Sequence, residues 1–150
     1  MKKDFIAFYL ILLIGTIARF ISIAASPITV EELKLVSFLA NTSFNELVGQ
    51  GLKMDMQPAL LKLFGFFWIK IFGTSLLSIR FPFFIFGILS IYYVYRYASE
   101  LIGNFAALFV AGTMAVSAFF ITHGQHMQVH LLGTFLLYLF LYYFLLYLKG

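Results

Sequence analysis

Three polar segments interrupt an otherwise apolar chain, and long apolar stretches separate them. The polar segments are residues 30–32, 54–58 and 123–130. If the apolar stretches cross a bilayer, an even number of crossings separates the first segment from the last. The pattern therefore predicts that acids, an amide–proline turn and histidines meet at one face of a membrane.

The apolar stretches approach the roughly 20 residues that a transmembrane helix needs. They lie at about 5–25, 81–98, 105–121 and 131–148. We predict an all-α integral membrane protein with about four transmembrane helices and short juxtamembrane amphipathic helices in the first external loop. Lys2 and Lys3 place the N-terminus in the cytoplasm. A cleaved signal peptide is the alternative for the first stretch, because Ala24, Ala25 and Ser26 resemble a processing site.

A further apolar stretch at 58–72 is short and contains Lys62 and Lys70. As a helix it would rise about 22 Å, less than the hydrocarbon thickness of about 30 Å. Lysines inside a membrane are also costly. We therefore predict an amphipathic helix lying in the membrane surface, with Pro58 in its first turn.

The first external loop carries two adjacent acids, Glu31 and Glu32. Thr29 is a candidate N-cap, and Glu32 three residues later completes a capping-box pattern. The acids are thus explained either as first-turn residues favoured by the helix dipole or as catalytic carboxylates. Neighbouring helical side chains point about 100° apart, so at most one of the two faces a shared cavity.

Composition supports a membrane location. Hydrophobic residues make up 63% of the chain and charged residues 11%, far from the balance of a soluble domain. The net charge of +4 is dispersed, which excludes a nucleic-acid surface and fits contacts with membrane lipid. Without cysteine there is no disulfide, thiolate metal site or thiol nucleophile.

Arg19 lies late in the first apolar stretch. It is either a snorkelling side chain that reaches the headgroups or an arginine facing a polar cavity, and its depth alone does not decide between them.

The histidine-rich segment has a spacing seen in some metal sites. His126 and His130 are four residues apart and would share a helix face, and His123 is a possible third ligand. Without a motif such as HExxH the spacing is weak evidence for a metal, and we favour histidines that bond backbone or lipid phosphate at the interface. We assign no metal ligand and no certain cofactor, and leave a divalent metal possible.

Several short motifs follow one another in a characteristic order. They are Arg19, Glu31-Glu32, Asp55-Met56-Gln57-Pro58-Ala59-Leu60, Lys70-Ile71-Phe72-Gly73, Arg80-Phe81-Pro82, Leu101-Ile102-Gly103 and the stretch from Gly124 to His130. In order and spacing they resemble the N-terminal module of the GT-C membrane glycosyltransferases, which include protein O-mannosyltransferases and the aminoarabinose transferases of lipid A. Glu31 stands where that family usually has aspartate, and Ala59 replaces a second proline.

The resemblance implies transfer of a sugar from a polyprenyl-phosphate donor to a lipid, glycan or protein acceptor, with inversion, at the external face of a prokaryotic cell membrane. It implies a carboxylate base, Glu31 or in its place Glu32. Candidates for binding the donor phosphate or the substrates are Asp55, Gln57, Lys62, Arg80 and His126.

Other interpretations remain. Members of the family usually have many more spans, so we expect the chain to be a fragment of a longer enzyme that is inactive by itself. The alternative function is a non-enzymatic four-helix accessory or lipid-binding membrane protein. A small transporter lacks support, since no duplicated half is visible.

Overall fold

The computed structural model describes residues 2–51, 58–123, 127 and 129–150, and nearly all of them are helical. In chain order the helices are α1 (Lys2–Ala25), α2 (Val30–Asn41), α3 (Phe44–Glu46) with a π-helical turn (Leu47–Gly51), α4 (Ala59–Phe72), α5 (Leu76–Ile102), α6 (Asn104–Val116), α7 (Ala118–His123) and α8 (Val129–Lys149). The predicted all-α fold is confirmed.

Among the described residues, three helices are long and apolar enough to cross a membrane. The qualifying segments are Asp4–Ile21 of α1, Leu76–Ile102 and His130–Lys149. Large apolar side chains remain exposed along them, including Phe20, Phe81 and Phe140, as expected for helices surrounded by lipid. The chain is thus an all-α membrane protein, while the predicted four crossings stay a prediction.

Two helices differ in extent from the predicted spans. α5 runs from Leu76 to Ile102, beyond the predicted 81–98 at both ends, and Pro82 lies inside it. It begins at Leu76 because the Ser75 side chain caps it, accepting a bond from the Ser78 amide at 3.3 Å. The predicted span at 105–121 is two helices, α6 and α7. They are separated by Ser117, whose backbone is extended with ψ of 124°.

α1 and α5 run antiparallel in contact. Near one end the Phe8 ring stacks on Tyr95 with centroids 4.0 Å apart, and near the other the Ile23 carbonyl accepts a bond from Arg80. α6 packs against both helices and α8 packs against α5. Buried alanines at every fourth position of α6 permit this close approach, and they are Ala107, Ala111 and Ala115.

Helices α2 to α4 cover the end of the bundle where α1 ends and α5 and α8 begin, which we call the loop end. A hydrophobic core joins these elements. Its buried members are Leu35, Val36, Leu39, Leu47, Leu61, Phe66, Ile69, Ile79, Phe83, Met127, Leu131 and Leu132.

The predicted interfacial helix at 58–72 corresponds to α4. One face buries Leu61, Phe66 and Ile69 against α2 and α5, whereas Phe67 and Ile71 on the other face are exposed. This two-faced pattern is what an interfacial helix requires. Its location in the membrane surface stays a prediction.

Trp68 fastens α4 to α5 at a proline. Pro82 has no N–H, so it cannot bond the carbonyl of Ser78, four residues earlier in α5. The indole Nε1 of Trp68 donates to that carbonyl instead, at 2.9 Å. A side chain of α4 thereby supplies the donor that the proline removes.

We expect Trp68→Phe to lower the free energy of unfolding in detergent by about 1–2 kcal/mol, because the Ser78 carbonyl loses its donor while an aromatic ring remains. In a Pro82→Ala background, position 82 again has a backbone N–H for that carbonyl. Trp68→Phe should then have a clearly smaller effect. Equal effects in the two backgrounds would contradict the pairing of Trp68 with the proline.

Candidate functional site

The two acids of the first loop point in different directions from the first turn of α2. Thr29 caps this helix, accepting a bond from the Glu32 amide at 3.2 Å, which confirms the predicted N-cap. Glu31 is exposed, whereas Glu32 is 1% exposed. The angular step of the helix therefore sends Glu31 outward and Glu32 into the protein.

Glu32 forms a buried, bidentate ion pair with Arg80 of α5. Arg80 Nε donates to Glu32 Oε1 at 3.1 Å and Nη2 donates to Oε2 at 2.8 Å, and neither side chain is exposed. A planar guanidinium matches a carboxylate in this geometry, which a lysine ammonium does not reproduce. The pair fixes α2 relative to α5.

The remaining N–H groups of Arg80 bind the backbone where α1 ends. Nη1 donates to the carbonyls of Ile23 (3.1 Å) and Ser26 (2.7 Å), and Nη2 donates to that of Pro27 (3.0 Å). The last carbonyls of a helix have no partner within it, so these are natural acceptors. With the two bonds to Glu32, every N–H of the guanidinium donates within the protein.

The same carboxylate also reaches the segment before α8. The backbone N–H of Met127 donates to Glu32 Oε1 at 3.3 Å. The Met127 side chain is buried, and its terminal methyl occupies the space beside Gly65 of α4, so an added Cβ there would displace it. Glu32 of the first loop therefore contacts Met127 of the histidine-rich segment, and the parity of crossings predicts that these two parts of the chain lie together.

Lys62 of α4 is fully buried beneath the π-helical turn. Its Nζ donates to the carbonyl of Gly51 at 2.8 Å. Phe38 of α2 lies so close to Gly51 that a Cβ there would come within 2.9 Å of the ring. Because Phe38 is seven residues after Glu31, it projects from the same side of α2. Glu31 therefore lies on the side of α2 that packs against Gly51, the residue whose carbonyl Lys62 binds.

Three predicted site residues, Asp55, Gln57 and His126, lie outside the described residues. His130 is exposed at the start of α8. Within the part of the chain that the structure describes, no group of three His, Asp or Glu side chains is placed to hold a metal ion.

The carbonyls that Arg80 binds and the Met127 amide are site groups that the sequence analysis did not identify. A backbone group has no side-chain signature. The one available signal is that α1 must end before Pro27, which leaves carbonyls there in need of donors.

With this geometry in place, the chain can be compared with known proteins. The sequence model of the dolichyl-phosphate-mannose-protein mannosyltransferase family matches residues 56–150. The chain belongs to that family. The resemblance to GT-C membrane glycosyltransferases is thereby confirmed. Neither a curated protein nor a solved structure matches the chain.

The mannosyltransferase family match covers α4 to α8 and so includes Arg80 and Met127. Glu32 precedes it. The buried ion pair therefore connects the acidic loop to the part of the chain by which the family is recognised. At the level of the family, the chain is a membrane glycosyltransferase of the GT-C type.

We expect Arg80→Met to destabilise the protein by about 3–5 kcal/mol, because it leaves the Glu32 carboxylate buried without its cation. Unfolding in detergent measures this change. The matched control is Lys149→Met, which removes the exposed ion pair with Glu100 (2.7 Å) and should change stability little. A loss no larger for Arg80→Met than for Lys149→Met would show that the buried pair does not hold the loop end together.

Proposed function

We propose that the chain is the membrane module of an enzyme that transfers a sugar from a polyprenyl-phosphate donor to an acceptor hydroxyl at the external face of the membrane. The description of its family names dolichyl phosphate mannose as the donor and a protein as the acceptor. For this chain, the acceptor class includes lipids and glycans as well as proteins.

Glu31 is the general base of this proposal. Its carboxylate accepts the proton of the acceptor hydroxyl while the acceptor oxygen bonds to the anomeric carbon of the sugar. The bond from that carbon to the phosphate oxygen breaks, and the electron pair leaves with the polyprenyl phosphate. A single displacement of this kind inverts the anomeric configuration, and a positioned base contributes about 10²–10⁴-fold to the rate.

The observation that carries this assignment is the contrast between the two acids. Both oxygens of Glu32 accept bonds from Arg80, and one also accepts from Met127, so these bonds hold that carboxylate in a fixed position. Glu31 is exposed at the first turn of α2. This contrast supports Glu31 as the acid that meets a substrate and Glu32 as the acid that fixes the position of α2.

Their hydrogen-bond partners also distinguish the two predicted phosphate-binding cations, Arg80 and Lys62. The N–H groups of Arg80 all donate within the protein, so we assign Arg80 the role of holding the helices of the loop end in position. Lys62 remains our candidate for stabilising the departing phosphate. It binds the carbonyl of Gly51, which packs against the side of α2 that carries Phe38 and Glu31.

Asp55, Gln57 and His126 complete the proposed site as residues lining the donor or acceptor pocket. Each belongs to a segment that continues directly from a described part of the site. Asp55 and Gln57 follow Gly51, and His126 precedes Met127.

We expect Glu31→Gln in the intact gene product to reduce sugar transfer by at least about 10²-fold without reducing protein abundance, because the amide cannot accept the proton. The assay follows transfer from a panel of polyprenyl-phosphate sugars in membranes that contain the enzyme.

The matched control is Glu46→Gln, the same substitution at an exposed acid of the same loop. Glu46 forms a capping box with Ser43, which lowers the pKa of its carboxyl, and glutamine also suits that motif. This variant should keep full activity. Full activity of Glu31→Gln would transfer the role to another group, and no transfer by the unmodified protein with any donor would favour the non-enzymatic accessory protein.

A further inference from the structure

Arg19 is buried at the point where α6 breaks. α6 ends at Val116, Ser117 is extended, and α7 begins at Ala118. The Ser117 amide still bonds the Thr113 carbonyl at 3.0 Å. The next two carbonyls, those of Met114 and Ala115, lose the helical partners that a continuous helix would provide.

The guanidinium of Arg19 donates to both of these carbonyls. Nη2 lies 3.0 Å from the Met114 oxygen and Nη1 lies 3.0 Å from the Ala115 oxygen. Nη1 also bonds the carbonyl of Gly15 on its own helix, at 3.1 Å. A positive charge at the C-terminal end of α6 is favoured by the helix dipole as well.

Two glycines leave room for this side chain between the helices. A Cβ at Gly87 of α5 would lie 3.2 Å from Arg19 Nε, and one at Gly15 would lie 3.3 Å from Nη1. Arg19 is 1% exposed, and its Nε has no hydrogen-bond partner among the residues that the structure describes. The side chain is thus enclosed between three helices and attached through its two terminal nitrogens. It does not snorkel toward headgroups.

The helix break that Arg19 caps precedes α7 and Met127 of the candidate site in the chain. α7 runs from Ala118 to His123, and Met127, whose N–H donates to Glu32, follows later in the chain. Arg19 is also one helical turn before Ile23, whose carbonyl binds Arg80. The two buried arginines therefore fix successive turns of α1, one to α6 and the other to the loop end.

We propose that Arg19 is a positioning residue that maintains the break between α6 and α7 and thereby sets the approach of Met127 to Glu32. The inference rests on the proposed function, since its effect on activity passes through the orientation of the acidic loop. Arg19 does not contact substrate. Its contribution is to hold the helix break that precedes Met127, whose N–H donates to Glu32.

The test is Arg19→Met in the intact gene product, with kcat and KM measured on folded, quantified protein. We expect kcat to fall at least about tenfold while the KM for the polyprenyl-phosphate sugar stays unchanged. Hydrogen exchange of the Met127 amide should become faster, because its bond to Glu32 is no longer held in place. Arg19→Lys keeps the charge and should recover part of the activity.

The matched control is Arg96→Met, which removes an arginine that bonds the Tyr142 hydroxyl (2.7 Å) far from the loop end and should keep the kcat of the unmodified protein. Unchanged kcat and unchanged Met127 exchange in Arg19→Met would overturn the inference. Failure of both Arg19 variants to accumulate would overturn it too, by assigning the residue to folding alone. Lack of transfer by the unmodified protein would instead contradict the proposed function, and the exchange measurement would still decide the role of Arg19.

Discussion

A buried carboxylate must have a cation, and this requirement determines how the loop end of the molecule is built. Isolated in an apolar interior, Glu32 would be strongly unfavourable. Arg80 removes that penalty only if its own N–H groups are also satisfied. The carbonyls at the end of α1 accept the donors that Glu32 leaves over. One ion pair thus joins α1, α2 and α5, and through Met127 it also reaches the segment before α8.

The proposed function depends on what this constraint leaves exposed. Because Glu32 is fixed, its neighbour Glu31 has a defined position on the first turn of α2 while remaining accessible. The second buried arginine extends the same principle deeper into the bundle, where Arg19 binds carbonyls that the break after α6 leaves without partners. Both arginines act on the ends of helices, which are the places in a membrane protein where backbone groups lack internal partners.

Local patterns predicted much of this structure. The Thr29 cap, the helix at 58–72 and the divergence of Glu31 and Glu32 all follow from the spacing of nearby residues. The partners of the arginines could not be predicted in this way. Arg80 and Glu32 are 48 residues apart, Met127 is 95 from Glu32, and most acceptors are backbone carbonyls that any sequence contains. The break at Ser117 was also missed, because the residues around it are apolar on both sides and the arginine that caps it belongs to another helix.

The acidic loop and the histidine-rich segment should share one membrane face, because Glu32 of that loop accepts a bond from Met127 of that segment. The chain contains no cysteine, so single cysteines report unambiguously. Glu31→Cys and His130→Cys place them at exposed positions beside the site, and Lys149→Cys places one at the far end of α8. In sealed vesicles of one orientation, a membrane-impermeant maleimide should label positions 31 and 130 from the same side and position 149 from the other. Labelling of positions 31 and 130 from opposite sides would show that the acidic loop and the histidine-rich segment do not share a membrane face.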